Sequence, residues 1–485
     1  MAVTIPGGPT TTTPNITLSL GTGDVLHLAQ QIGALLATIQ GAGDLTVDTV
    51  STSPLPNGPN VSYPSASGLI IDNSSDLNAT LPSGTNGWTY YVPIGPGATT
   101  LTGSNAVIVS GTISGTFDVS GHSTVAANGG NNTVNATGSY LLSFGPGDNM
   151  VYADGAGTVA TGIGASTVVA IGTGVGNLIQ SFGTADMINL VSGSNTVDSF
   201  GSNSTVIGGT GSLILDTDGS GDAIRPNGMS VTGTIGGTNN VVYPGTGPIN
   251  VTMTGSNNTL VGSTAATTVT ATGSEVVFGN TGMLTFVGGA GTSSILGGAG
   301  GTSNITGGEG GVLFSANVGS NSTVTGGTGT TTIFGGSGSV VTFNTSLAGG
   351  YMVASAGNET LTAAQATSAV TFSGGASNGN VSMVGGSAGD VFFAGNGSDT
   401  LTGGAGADSI SFIMGNTNGA HDFITDFGAQ DSLFLTGYDS TATTFSTSAA
   451  GLTMTLSDST TITFSNLTDQ SQLNGHYLYV PATPG

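Results

Sequence analysis

Most of the chain carries its large apolar residues one at a time. A Val, Ile, Leu or Phe flanked by Ser, Thr, Asn and Gly recurs every few positions. That spacing predicts short, half-buried strands of period two between turns. The exception is 24–40, where Val25, Leu26, Ala29, Ile32, Leu35, Leu36 and Ile39 fall on one helical face behind Asp24 as cap. This helix is expected to cover an open end of its own domain. Before it stand a Pro/Thr-rich start and the alternating NITLSL; after it come LTVDTV, GLIIDN and WTYYVPI, with the only Trp, Trp88. Residues 1–100 therefore read as a separate N-terminal assembly or anchoring domain.

From 101 to 375 a Gly-Ser/Asn turn followed by N-x-T-V or a similar short strand repeats, as in GGNNTVNATGS, GSNSTVIGG and GSNNTLVGS. Turns of this kind stack so that each is held by its neighbours. Over 385–411 the repeat tightens into nine-residue blocks, GGSAGDVFF, AGNGSDTLT and GGAGADSIS. Aspartate stands sixth (Asp390, Asp399, Asp408) and a large apolar residue eighth (Phe392, Leu401, Ile410). Two such blocks make one turn of a parallel β-roll, so residues 18 apart lie over one another and calcium fits between stacked aspartate loops. Blocks 288–296, 326–334 and 335–343 share the period but carry Ser293, Thr331 and Val340 at the sixth place. These predict turns without the ligand, in which stacked Asn and Thr side chains hydrogen-bond along the ladder.

Phe-Gly-x-x-Asp recurs at 144–148, 182–186 and 427–431. It predicts a corner with Phe in the core and Asp closing an Asx turn, with calcium at Asp148 or Asp186 the less favoured reading. DTDGSGD at 216–222 sets Asp216, Asp218 and Asp222 among glycines as a further candidate calcium loop. The tail, 445–485, predicts a hairpin turning at 457–459.

The 385–411 blocks, with HDFITDFGAQDSLFL at 421–435, resemble the RTX (hemolysin-type calcium-binding repeat) family. Asp422, Ile424, Asp426, Phe427, Asp431, Leu433 and Leu435 match the segment that ends such rolls, with Ala429-Gln430 departing from the usual glycine. The resemblance covers about the last quarter of the chain. It implies calcium (Ca2+) at Asp390, Asp399, Asp408, Asp422, Asp426 and Asp431. It also implies an extracellular or cell-surface destination and type I export through an uncleaved C-terminal signal. It leaves the function open, because enzymes, toxins, adhesins and surface-layer proteins share the module.

Charge narrows the field. One Lys or Arg against 25 acidic residues gives a net charge of −24. That excludes a nucleic-acid binder and attraction to an anionic membrane, and favours divalent cations as folding partners. There is no Cys and no run of 18 apolar residues, and MAVTIPGGPTTTTP has no signal-peptide pattern. His27, His122, His421 and His476 are scattered, no lysine exists for a phosphate loop, and Arg225 beside Asp222 is a lone cation. An enzyme is not expected.

The expected fold is all-β: elongated parallel β-roll or β-solenoid repeats with a small N-terminal domain containing one helix. The domains are 1–100, a degenerate Gly/Asn/Thr-rich solenoid at 101–375, the calcium roll and its cap at 376–439, and the hairpin with secretion signal at 440–485. The expected function is a secreted bacterial structural protein that self-assembles outside the cell. Its partners are copies of itself, with cell-surface polysaccharide as a further one, and neither nucleic acid nor membrane insertion. The competing expectation is a calcium-dependent adhesin acting through the N-terminal domain. Ice binding is a weaker one: Thr-x-Thr pairs such as TTT at 330–332 can line a flat face, but the pairs are not regularly ranked.

Overall fold

The computed structural model describes residues 2–5, 16–19, 24–41, 46–50, 68–72, 77–80, 89–93, 99–112, 114–172, 176–344, 348–375, 378–417 and 419–482. The fold is all-β, 51% strand and 4% helix: a parallel β-solenoid of about 17 turns with, among the described residues, a single α-helix in the N-terminal part. It divides into two compact units, Met1–Gly247 and Pro248–Gly485. Trp88 lies outside the described residues.

In the first unit the helix spans Asp24–Gly41 and buries Ala29, Ile32 and Leu36, while Leu35 of the expected apolar face is half exposed. Its main contacts are with the strands Ala2–Ile5, His122–Ala127 and Thr133–Phe144. It therefore packs along the coils rather than over the first of them. NITLSL supplies Ile16–Ser19, which pairs antiparallel with Ala2–Ile5 of the same chain. The strands Thr46–Val50, Gly68–Asp72, Thr89–Pro93, Ala106–Ser110 and His122–Ala127 follow one another in a single parallel ladder. The boundary expected at 100 thus has no counterpart in the pairing, which runs across that position.

Two features of the sequence explain the coil. In the GSN and GTN turns at 103–105, 201–203 and 237–239 the asparagine takes the left-handed conformation (Asn105, Asn203, Asn239), which its short polar side chain tolerates. The next residue then points inward: Ser204 and Asn240 are buried. Long strands such as Thr133–Phe144 and Met150–Ala160 bend at stacked glycines. A Cβ on Gly155 would lie 2.0 Å from the Gly138 carbonyl oxygen of the rung beneath, so no side chain fits. Between turns, Val134, Val151, Val168, Ile188, Val206 and Ile224 stack in register as one column of the core.

The second unit has two parallel sheets. One runs from Ile249–Met253 through Thr302–Thr306 and Glu359–Thr362 to His421–Ile424. The other runs from Thr259–Val261 through Val312–Ser315 and Val391–Phe393 to Ser432–Thr436. Their inward residues form the core, where Phe372 and Phe392 stack with ring centres 4.8 Å apart. Phe392, Leu401 and Ile410 are buried, as the nine-residue period predicts. Ser293 and Thr331 also face inward, but Val340 is 40% exposed. Its neighbours Ser339 and Val341 take the buried places, since the strand Val340–Asn344 is shifted by one residue against the nine-residue count. Near the unit's end come the antiparallel strands Thr444–Ser448, Gly451–Thr455 and Thr461–Phe464, with Ser459 at positive φ in the expected turn, and the last strand, Tyr477–Val480, returns to pair parallel with Ser432–Thr436. Coils joined in this way by strand pairing show no break at 375 or 439.

Candidate metal centre

The nonapeptide aspartates point into the coil: Asp390, Asp399 and Asp408 are each at most 1% exposed, and Asp422 and Asp431 are buried with them. Each accepts a backbone N–H from the coil before it. Val370 N–H meets Asp390 Oδ1 at 2.7 Å, Asp390 N–H meets Asp408 Oδ1 at 2.7 Å, and Asp408 N–H meets Asp431 Oδ1 at 3.0 Å. A second column sets Val381 N–H on Asp399 and Asp399 N–H on Asp422. The 18-residue stacking of Asp390 on Asp408 is as the period predicts, while the next rung is 23 residues on.

The glycines have separate jobs. A Cβ on Gly385 would sit 2.5 Å from Asp390 Oδ2, and one on Gly403 would sit 2.3 Å from Asp408 Oδ2, so the first glycine of the block leaves room for its own carboxylate. The second donates: Gly386 N–H bonds Asp390 Oδ2, and Gly395 N–H bonds Asp399 Oδ2. Asp431 closes its loop on Gly428 N–H, and none of 428–430 has positive φ, which explains why Ala429-Gln430 is accommodated.

At Asp408 this closure fails. The N–H groups of Gly403 and Gly404 both bond Asp426, which the longer coil brings alongside, and Asp408 Oδ2 is left buried without a partner. Asp422 Oδ2 is likewise buried and unpartnered. Burial drives the Asp408 carboxyl up to about 6, opposed by its Asp390 N–H bond and reinforced by Asp431, Asp390 and Asp426. Burial, with Asp399 adding to it, drives Asp422 up to about 8. Asp390 and Asp399 are raised by burial as well, against the pull of their N–H bonds.

The other candidates separate. Asp216 and Asp218 face solvent on either side of buried Thr217, while Asp222 faces inward, because the run starts on the strand Thr205–Thr217 with its alternating exposure. They form no common loop. Asp222 accepts Ser204 N–H and the Ser199 hydroxyl, and Asp186 accepts Ser166 N–H and the hydroxyls of Thr161 and Ser181. Asp148 is exposed, with Asn149 turned inward in its place, so the Phe-Gly-x-x-Asp corner is not one structure. Phe182 is half exposed and stacks on Phe200. Arg225 lies 3.8 Å above the Tyr243 ring, a structural cation–π contact.

Among the described residues, no three His, Cys, Asp or Glu side chains form a group that could hold a metal ion. Both oxygens of Asp390, Asp399, Asp426 and Asp431 are occupied by N–H donors. The donor chemistry fits a hard cation at Asp408 and Asp422, where a buried carboxylate oxygen lacks a partner. Sequence spacing marked both residues but gave no sign that they differ from Asp390 and Asp399. No family model, no curated protein and no solved structure matches the chain.

Proposed function

We propose that this is a secreted structural protein whose C-terminal coils fold around calcium and whose copies associate outside the cell into a surface layer, fibre or matrix. The observation that carries the proposal is the pair of buried carboxylate columns in which Asp408 Oδ2 and Asp422 Oδ2 are left without a partner. A chain whose sole Lys or Arg is Arg225 has no side-chain cation to place there. A divalent ion bound at those oxygens offsets the burial of charge and ties metal binding to folding. Export by a type I system, with folding after release into calcium, follows from the resemblance of 385–435.

Association is supported by the second sheet of the C-terminal unit. Its outward face carries Phe278, Leu313, Phe334 and Tyr351, each between 37% and 42% exposed, in two registered columns without a charged residue. In a molecule of net charge −24, two copies approach with least repulsion through such a face. Electron microscopy of the purified protein in millimolar calcium and then EGTA tests the proposal. Ordered assemblies that form with calcium and dissolve with chelator are expected. Monodisperse molecules in both conditions would sink association, and assemblies indifferent to EGTA would remove calcium from it.

A further inference from the structure

The first sheet of the C-terminal unit presents the opposite chemistry. Register aligns Asn250, Thr268, Thr285, Asn304, Thr323, Thr342 and Thr362 in one outward column. Beside it stand Thr252, Thr270, Val287, Thr306, Thr325 and Asn344. The columns are rich in Thr, with Thr at both places on the rungs Thr268/Thr270 and Thr323/Thr325, an order that unequal turn lengths hide in the sequence. On the other side of the first column runs a third, Thr302, Asn321, Val340, Thr360, Ser382 and Thr400, and Phe423, 41% exposed, occupies its next rung.

Against this last stretch lies a groove of about 370 Å³ lined by Asn358, Thr360, Asn380, Ser382, Ser398 and Thr400 among others. Asn380 N–H bonds Asn358 Oδ1 at 2.9 Å, Ser398 N–H bonds Asn380 Oδ1 at 3.2 Å, and His421 N–H bonds Ser398 Oγ at 3.2 Å. These bonds fix the side-chain amides, leaving their nitrogens as donors beside the hydroxyls of Thr360, Ser382 and Thr400. Glu359, the one charged lining residue, is buried and accepts from Ser355 and Ala356, so it offers the groove no charge.

We infer that this groove is a binding site for a neutral polysaccharide chain lying across successive rungs, with Phe423 covering the apolar face of a sugar ring at one end. The size is that of a small-ligand pocket, which runs from about 300 to 1,000 Å³. Rungs about 4.8 Å apart repeat the same donor and acceptor groups at a spacing comparable with one sugar ring. Hydroxyls that both donate and accept, together with fixed amide donors, suit sugar hydroxyls. A lining without exposed charge in so acidic a chain favours an uncharged partner over a polyanion. The site lies outside residues 1–100, and because Ser398 and Thr400 flank Asp399 and Phe423 adjoins Asp422, it is tested with calcium present.

Native affinity electrophoresis of the full chain in calcium tests it, with gels containing a β-glucan, an α-glucan or a galactomannan, and alginate as the charged comparison. Retardation by a neutral polymer and none specific to alginate is expected. Ser382→Trp fills the groove from an outward position and is expected to weaken the interaction about tenfold or more, the loss of one or two hydrogen bonds. Phe423→Ala is expected to weaken it less, both with unchanged circular dichroism. No retardation by any neutral polymer, equal retardation of Ser382→Trp and the parent, or preference for alginate would overturn the site. Arrest of ice growth without polysaccharide binding would overturn it in favour of ordered water as the partner.

Discussion

Two sets of turns perform one mechanical task with different chemistry. In the early coils of the N-terminal unit, before Asp186 and Asp222 take the same place, Gly115, Asn132 and Asn149 each donate a backbone N–H to the next rung's Asn132, Asn149 or Ser166, at 3.0–3.3 Å. In the C-terminal unit Val370, Asp390 and Asp408 do the same toward Asp390, Asp408 and Asp431, at 2.7–3.0 Å. The shorter contacts are those expected of charged acceptors. Since amides and hydroxyls close the coil, the fold does not require the carboxylates. A buried charge that the fold does not require costs stability unless something else offsets it. The contrast therefore points outside the backbone for the purpose of the aspartates, and a bound cation supplies one.

The largest effect should come from breaking what both sets of turns depend on. Phe392→Ala removes a stacked core ring and should cost about 3–5 kcal/mol in urea unfolding, with or without calcium. Next is converting one kind of turn into the other. Asn149 accepts from Asn132 and donates to the Gly147 carbonyl, so Asn149→Asp buries a charge and loses a donor. A loss of about 3 kcal/mol is expected, unrepaired by calcium. If calcium repaired it, the two kinds of turn would not differ in the way described.

The reverse change should have the opposite sign. Asp408→Asn with Asp422→Asn should stabilise the calcium-free protein near pH 8 by about 1–3 kcal/mol and abolish its response to calcium. The pH dependence follows from the raised carboxyls. The folded state holds protons on Asp422 up to about 8 and on Asp408 up to about 6, while the unfolded chain releases them near the ordinary carboxylate value. Stability in EGTA should therefore fall as pH rises from about 5 to about 8, and the slope should flatten in the double variant. A stability that rises over that range would contradict the burial of these groups. Ser166→Ala is the smallest change: it removes a neutral acceptor from Asn149 N–H and should cost about 1 kcal/mol at any calcium concentration.

What could be read from the chain was local. The inward side chains of Asp390, Asp399 and Asp408, the core places of Phe392, Leu401 and Ile410, and the turn at Ser459 all follow from spacing within one block. What could not be read depends on how many residues separate successive rungs. That number is 17 in the early ladder and reaches 23 at Asp431. A single added residue exchanges inside for outside, which is why Val340 faces solvent. It is also why the ranks of Thr268, Thr285 and Thr323 are invisible in sequence. The difference between Asp408 and Asp390 arises from Asp426, 18 residues beyond Asp408, taking the glycine N–H groups that would have closed the loop.

The ladders of side-chain acceptors also have directions. Along Val370, Asp390, Asp408 and Asp431 each coil's inward N–H is met by a side chain of the coil that follows it in sequence. The outward ladder beside it runs the other way: the N–H groups of Asn380, Ser398 and His421 are met by side chains of Asn358, Asn380 and Ser398 on the coil before. A coil added at either front of a growing array therefore finds one acceptor in place and leaves one donor unmet. Growth from either end is a zipper that closes one tooth behind its slider.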